Sequence, residues 1–522
     1  MKKNTINDFS ELSTNISSDL AKGFKSSVSI YLAKAIVMTT GAFLSIVLVR
    51  HLSPSDYGTY ALIQNVLTFG AGLTALGLVP IAIRYIPEYA ARGLYSLINK
   101  LFCGLLGIRL LSIGVIGALF YCLKDSLFNA LNFPTAFNEY TIFILMIFTA
   151  QGLTSIVGAC YITAYIEEYK ISIISSILAI LTLVSYWYVL NTGLGILGIL
   201  TCWVILSVIP FLYYISEATT KIYQNIQKDI RRKLDNKEIK RISRYGFFMF
   251  SSGTMGYLRD LMIDNFVIVY YLGPKMVGLY TLAATLVLFV NKINPSTVLK
   301  NVLYPIVVKK YTGETGKVET LKIASDLVTK LSLFVVTPAF LGLVLLGRHI
   351  IIFVYSPKYI SAFSPLVILS FFFFFSSLNR RFGIIAQAVE KSELFMGANL
   401  LGIYNIIMNI VLVKRYGING IAFASGSTAL LTYIFFWVAM RYYVRIIVPY
   451  LFKATLRVII NCLPMMLFIV LIRKNIWNLW LLISVIVFSI LLYCLMSILN
   501  KVFSIEEREL INKAVGKTIW VF

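Results

Sequence analysis

Long apolar runs dominate this chain and leave it few folds to choose from. They lie at roughly 28–49, 57–84, 101–122, 140–163, 171–189, 195–216, 244–271, 277–305, 323–346, 360–388, 394–412, 418–439, 454–471 and 477–500. A helix rises about 1.5 Å per residue, so roughly 20 residues cross the ~30 Å of bilayer hydrocarbon. Most of these runs reach or approach that length. Backbone N–H and C=O groups find no water in lipid, which restricts spanning segments to helices or closed barrels. The alternation and turns of barrel strands are not visible here. Soluble domains are about 45–50% apolar and about 25% charged. The 522 residues of this chain are 59% hydrophobic and 13% charged, which predicts an all-α membrane protein with about fourteen transmembrane helices.

The runs are not independent of one another. Val47–Leu62 reads VLVRHLSPSDYGTYAL, and Val267–Leu282 reads VIVYYLGPKMVGLYTL, with seven of sixteen positions identical. Pro54 thereby matches Pro274, Gly58 matches Gly278 and Tyr60 matches Tyr280. A second pair keeps nearly the same offset, GILGI at Gly195–Ile199 and GINGI at Gly417–Ile421. Two related halves of six spans each therefore lie in tandem, with the last pair of spans outside the duplication. An even number of spans per repeat makes the halves parallel, with a symmetry axis along the membrane normal and a candidate pathway at the seam. The expected organisation is a tail (1–27), a first lobe (28–216), a basic linker (217–243), a second lobe (244–440), and two extra helices with a tail (441–522). Pro54, Pro274, Gly58 and Gly278 are expected in tight turns between spans. Gly195, Gly198, Gly417 and Gly420 are expected to serve helix packing or bending.

Orientation follows from the basic residues of the connections. With the amino terminus in the cytosol, cytosolic segments hold 27 Lys and Arg and outer segments hold 9. Both termini are therefore expected in the cytosol of a protein of the cytoplasmic membrane. The first 27 residues lack the apolar middle of a cleavable signal, so the first span is expected to direct insertion. Lys228, Arg231, Arg232 and Lys233 cluster in the linker, as a topology signal or as a contact for anionic membrane lipids.

Eleven basic residues remain inside the predicted spans: Lys34, Arg84, Arg109, Arg244, Arg259, Lys292, Lys300, Lys330, Arg380, Arg381 and Arg457. A charge at the centre of a span costs about 2.5–3.5 kcal/mol on insertion scales, so it is tolerated where it meets water, a partner or an anionic ligand. Arg109, Arg244, Lys300 and Arg457 are expected near boundaries, snorkelling to the interface. Arg259 and Lys292 fall near the middles of their spans, and with Lys34, Arg84, Arg380 and Arg381 they are the candidate substrate-binding residues of a cavity. A buried ion pair is the competing reading for Arg259 and Lys292. Asp260 and Asp264 stand four residues apart, on one helical face. They serve either as structural partners of basic residues or as ligands of a coupling cation. Tyr257 and Tyr304 are candidates to line a polar route.

Catalytic signatures are missing. There is no GxxxxGK[ST] loop, no HExxH and no nucleophile elbow, and the two histidines, His51 and His349, stand apart. The six cysteines fall within apolar runs without metal-ligand spacing and read as small core residues. No catalytic residue, resident metal, cofactor or nucleic-acid partner is expected, and the chain does not read as an enzyme.

The segment RHLSPSDYGTY (Arg50–Tyr60), followed by LGLVPIAIRYIPEY (Leu76–Tyr89), resembles the opening of polysaccharide and oligosaccharide flippases in the multidrug, oligosaccharidyl-lipid and polysaccharide (MOP) exporter superfamily. DNFVIVYYLGPKMVGLY (Asp264–Tyr280), NPSTVLKNVLYPIV (Asn294–Val307) and KRYGINGIAFASG (Lys414–Gly426) resemble the second-half signatures of that family. The likeness covers most of residues 28–440, and Asp264 matches the acid that opens the second-half signature. The resemblance implies two six-helix lobes around a V-shaped cavity open alternately to each side. It also implies movement of a polyprenyl-phosphate or polyprenyl-diphosphate-linked oligosaccharide between leaflets. A cationic cavity would lower the energy of such a headgroup at membrane depth. A cation-coupled multidrug exporter of the same superfamily, relying on Asp260 or Asp264, is the alternative, and a membrane glycan polymerase or ligase is the third reading. The outer connection near 123–139 is thin material for catalysis. Expected partners are the lipid-linked oligosaccharide, anionic lipids and other glycan-assembly membrane proteins. A monomer suffices, since two lobes complete a path.

Overall fold

The apolar runs fold as helices because in lipid each peptide group must bond within its own segment. The computed structural model describes residues 32–165, 167–227, 235–257, 261–294, 317–379, 382–383, 385–386, 391, 393–443, 452–505, 507–509, 512 and 521–522. Among these, every regular element is helical. Helix α1 is Leu32–His51. It is followed by α2 (Pro54–Leu73), α3 (Leu78–Ala91), α4 (Tyr95–Ala130), α5 (Phe137–Tyr161), α6 (Glu168–Asn191) and α7 (Gly195–Gln227). Then come α8 (Asn236–Gly256), α9 (Leu261–Leu272), α10 (Pro274–Ile293), α11 (Lys317–His349), α12 (Phe363–Leu378), α13 (Glu393–Val438), α14 (Phe452–Ile472) and α15 (Leu479–Leu499).

Among the described residues eleven helices are long and apolar enough to cross a membrane, or twelve if α2 and α3, bent by 50° at a short break, form one span. The difference from fourteen has local causes. The runs at 394–412 and 418–439 are two helices that turn at Gly417, whose φ of 57° and ψ of −140° are not helical, and Asn405 bonds Ser425 across them; they share the label α13 and count once among the eleven. The run at 244–271 is divided between α8 and the 12-residue α9.

Two compact units emerge from the internal contacts. The first comprises the described residues up to Leu52, Ile63–Ala130 and Pro134–Thr254, and the second comprises Ser53–Leu62, Leu131–Phe133 and the residues from Met255 onward. In the first unit α3, α4, α5 and α7 bury a core that includes Ala82, Ile86, Leu97, Ile156, Cys160 and Ala218. In the second, α11, α14 and α15 bury Leu331, Phe334, Val458, Cys462, Leu482 and Tyr493 together. The final helix pair thus packs on α11. Cys160 and Cys462 are core residues as expected, whereas Cys103 and Cys122 are exposed.

The repeated prolines and glycines divide the labour differently from the expected turns. Pro54 opens α2 behind a cap in which Ser53 Oγ accepts the Asp56 N–H at 3.1 Å and donates to Asp56 Oδ2 at 2.7 Å. Pro274 opens α10 after Gly273, whose φ is 81°. Gly58 and Gly278 lie one turn inside these helices, where the second unit packs α2 against α10. The second repeated motif is also a backbone device: Gly195 and Gly417 occupy equivalent positions, and both have positive φ, 56° and 57°. An L side chain is strained there, so the glycines turn the chain between helices rather than serving packing alone.

Candidate functional site

The second unit holds a buried carboxylate. Asp264 lies in the first turn of α9 and is 3% exposed. Tyr280 of α10 donates its hydroxyl to Asp264 Oδ2 at 2.7 Å, and Ser425 of α13 donates to the same oxygen at 2.6 Å. Asn409, also of α13, donates Nδ2 to Oδ1 at 2.8 Å. Asn405 stands one helical turn before Asn409, accepts from its amide and donates to Ser425 Oγ at 3.2 Å. Burying a carboxylate is costly unless hydrogen bonds replace water, and these donors do so. The carbonyl oxygen Asn409 Oδ1 is buried without a hydrogen-bond partner among the described residues. Side-chain oxygens of Asp264, Asn405, Asn409 and Ser425 therefore gather within one hydrogen-bonded cluster. This is the chemistry that takes up a proton or a hard cation.

The predicted cations have varied surroundings. Lys34 is exposed on α1. Lys292 is exposed in the last turn of α10, with Nζ 5.7 Å from the Phe289 ring centroid. Arg84 is exposed on α3, with its guanidinium 4.8 Å from the Tyr245 ring centroid of α8. Arg259, Asp260, Arg380 and Arg381 lie outside the described residues, as do Lys300, Tyr304 and the basic cluster of Lys228, Arg231, Arg232 and Lys233. The first part of the expected linker is helical, continuing α7 to Gln227. There Glu217 pairs with Lys170 at 2.6 Å and Lys221 pairs with Glu167 at 2.7 Å.

Two cations are neutralised or satisfied inside their own unit. Arg109 does not snorkel: it is 5% exposed, and its Nη1 donates to the carbonyl of Thr74 and, at 3.0 Å, to its hydroxyl. Its Nε donates to the Gly152 carbonyl at 3.2 Å. Thr74 begins the break between α2 and α3, where Leu76 and Gly77 have positive φ of 44° and 68°. A broken helix leaves carbonyls without intrahelical donors, and the guanidinium supplies them. Lys330 of α11 pairs with Glu507 at 2.7 Å.

Arg84 has basic company. The first unit contains a pocket of about 510 Å³ lined by Arg84, Lys237, Lys240, Arg241, Arg244 and aromatic rings of α3 and α8. The sequence spreads these residues over 160 positions, and only the packing of α8 on α3 assembles them. Tyr280, Asn405, Asn409 and Ser425 were also missed as site residues. Two asparagines one turn apart in an apolar run are the signal that could have found the latter cluster, since polar side chains in spans seek partners.

A profile of polysaccharide biosynthesis proteins matches residues 47–364, more than half of the chain. The chain belongs to that family. An archaeal relative, the uncharacterized membrane protein MJ1068 of Methanocaldococcus jannaschii, is 26% identical over 244 residues, and the match spans 45% of each chain, so under half the length of this curated relative is covered. Among solved structures, the polysaccharide biosynthesis family member is similar to the lipid II flippase MurJ in an inward closed conformation. The TM-score is 0.68 at 17% identity, covering 94% of this chain and all of that one. An inward-facing multidrug resistance MATE transporter of the MOP superfamily gives 0.64 at 14% identity, covering 77% and 94%. The Vibrio cholerae MATE transporter VcmN, in a mutant form, gives 0.55 at 15% identity, covering 83% and 98%. The fold is therefore the one shared with these transporters, and the chain is a multi-pass membrane protein of the polysaccharide biosynthesis family.

Proposed function

We propose that this protein is a flippase that carries a polyprenyl-phosphate or polyprenyl-diphosphate-linked oligosaccharide across the cytoplasmic membrane by alternating access. The observation that carries this reading is membership in the polysaccharide biosynthesis family on a fold shared with a lipid II flippase over 94% of the chain. In this reading residues 28–216 and 244–440 form the two lobes, and 441–522 form the appended pair with its tail. Both termini face the cytosol. Arg259, Lys292, Lys34, Arg84, Arg380 and Arg381 line the path and hold the phosphates, since an anionic headgroup offsets the cost of cations at membrane depth. The tail of the carrier stays in lipid. The protein works as a monomer alongside other glycan-assembly membrane proteins.

The Asp264 cluster supplies coupling. A monovalent cation or a proton taken up by the carboxylate changes the hydrogen bonds of Tyr280, Ser425 and Asn409, and so biases the packing of α9, α10 and α13. Asp264 also carries the second reading, a cation-coupled drug exporter, which the MATE-like fold supports.

Glycan export from cells in which this chain is the sole flippase separates the two. Arg259→Ala with Lys292→Ala is expected to abolish surface glycan while membrane levels of the protein stay normal. Undiminished glycan from that double variant, together with drug resistance that disappears in Asp264→Asn, would replace the flippase reading with the exporter.

A further inference from the structure

The pocket between α3 and α8 is a built anion site that shares only Arg84 with the path proposed above. It sits within the first unit, and its construction begins with glycine. A Cβ at Gly77 would collide with the Gly246 carbonyl oxygen, and one at Gly246 would stand 2.5 Å from Ile81 Cδ1. The start of α3 and the middle of α8 therefore meet backbone to backbone. Arg84 follows Gly77 by two turns on the same helical face, and Arg244 and Tyr245 immediately precede Gly246. Close approach at the glycines thus brings three basic side chains of α8, Lys237, Lys240 and Arg244, against Arg84.

Spacing on α8 concentrates charge further. Lys237, Lys240, Arg241 and Arg244 stand at positions i, i+3, i+4 and i+7, so they share one face, where like charges one turn apart weaken a helix by a few tenths of a kcal/mol per pair. One of these cations is answered: Arg241 makes a bidentate pair with Glu88 at 3.1 and 3.2 Å, and Glu88 also holds Arg92 at 3.0 Å. Arg84, Lys237, Lys240 and Arg244 have no carboxylate partner among the described residues. Four uncompensated cations around one pocket of about 510 Å³ match a phosphate group, which accepts the planar donors of Arg and the point charge of Lys together.

The rim indicates what carries the phosphate. Phe247 and Phe248 are 65% and 60% exposed, and Arg244 lies 5.9 Å from the Phe248 ring centroid. The helix is thus basic in its first half and exposes large apolar rings in its second. That is the arrangement of a helix at the headgroup level, with rings toward acyl chains and cations toward phosphates. We infer that the pocket formed by Arg84, Lys237, Lys240 and Arg244, with Tyr245 and Phe248 at its rim, binds the phosphate of an anionic lipid. Arg84 is the one residue shared with the transport path proposed above, and Lys237, Lys240 and Arg244 carry the inference without it.

Native mass spectrometry of the full chain in detergent tests it, with phosphatidylglycerol and phosphatidylcholine as probes. The wild type is expected to retain one phosphatidylglycerol in preference to phosphatidylcholine. Each basic residue near an anionic lipid surface contributes about fivefold in affinity, so Lys240→Ala with Arg244→Ala is expected to weaken retention by roughly 25-fold. Arg244→Lys alone keeps most of it, and Lys474→Ala, which removes an exposed charge elsewhere, keeps all of it. Displacement of phosphatidylglycerol by a polyprenyl monophosphate assigns the site to the lipid carrier. Persistence of phosphatidylglycerol against that competitor assigns it to the bilayer, and either result supports a lipid phosphate. Equal retention of the two phospholipids, unchanged binding by the double variant, or displacement by inorganic phosphate alone overturns the inference.

Discussion

Gly58 and Gly278, equivalent positions of the internal repeat, each occupy the space a side chain would need, against the proline of the other copy. A Cβ at Gly58 would collide with the Pro274 carbonyl oxygen, and one at Gly278 with the Pro54 carbonyl oxygen. The P-x-x-x-G spacing that betrays the duplication is thus the spacing of a helix crossing in which two copies of one motif interlock. Larger side chains there meet backbone, which cannot rotate away. Gly58→Val and Gly278→Val are each expected to cost about 1–3 kcal/mol, the usual range for overpacking. Thermal unfolding of purified protein in detergent measures this, and an unchanged Tm in both variants contradicts the interlock.

Arg109 ties the α2–α3 break to α5 through carbonyls of Thr74 and Gly152. Arg109→Leu keeps bulk but leaves these acceptors unsatisfied, at about 1–3 kcal/mol each. Arg109→Lys retains one charge and fewer fixed donors, so it is expected to fall between the two. A snorkelling arginine behaves otherwise: if Arg109→Leu unfolds at the temperature of the wild type, its buried role is refuted.

Asp264→Asn preserves the shape of the buried cluster but removes its charge. It is expected to leave the protein folded while cation dependence of transport vanishes, whereas Tyr280→Phe, which deletes one donor, is expected to shift that dependence without abolishing it. Transport by Asp264→Asn that follows the cation gradient as in the wild type excludes this carboxylate from coupling.

The ion-pair cluster of Glu167, Lys170, Glu217 and Lys221 predicts a pH dependence. Partial burial pushes the Glu167 carboxyl upward, but hydrogen bonds and charge from Lys221 and Lys170 outweigh it and hold the pKa below the ordinary glutamate value. A depressed carboxylate stabilises the fold above its unfolded pKa, about 4.3, and the contribution is lost as pH falls through the lower folded value. Wild-type Tm is therefore expected to drop below about pH 4.3, and Glu167→Gln is expected to flatten part of that drop at low salt.

Much of the fold was legible because hydrophobicity decides it: among the described residues the apolar runs are helical, with breaks inside those at 57–84 and 244–271. Less legible were breaks made by backbone. Gly417 separates two runs inside α13 through its φ alone, and the bend after α2 depends on Arg109, a residue 35 positions away that charge counting assigned to a boundary. Composition showed an excess of cations but not their partners. Glu507 for Lys330, and α8 for Arg84, come from tertiary packing between distant segments. Asp264 was identifiable, with Asp260, as an acid in an apolar run; its neutral donors were not, because hydroxyls and amides are too common to stand out.

Reconstitution into proteoliposomes addresses the flippase directly. With a fluorescent polyprenyl-diphosphate oligosaccharide incorporated in both leaflets, wild-type protein is expected to make nearly all of it accessible to an impermeant quencher, against about half without protein, and Arg259→Ala with Lys292→Ala is expected to match the protein-free value. Accessibility that stays at half with folded wild-type protein under an imposed cation gradient contradicts the account.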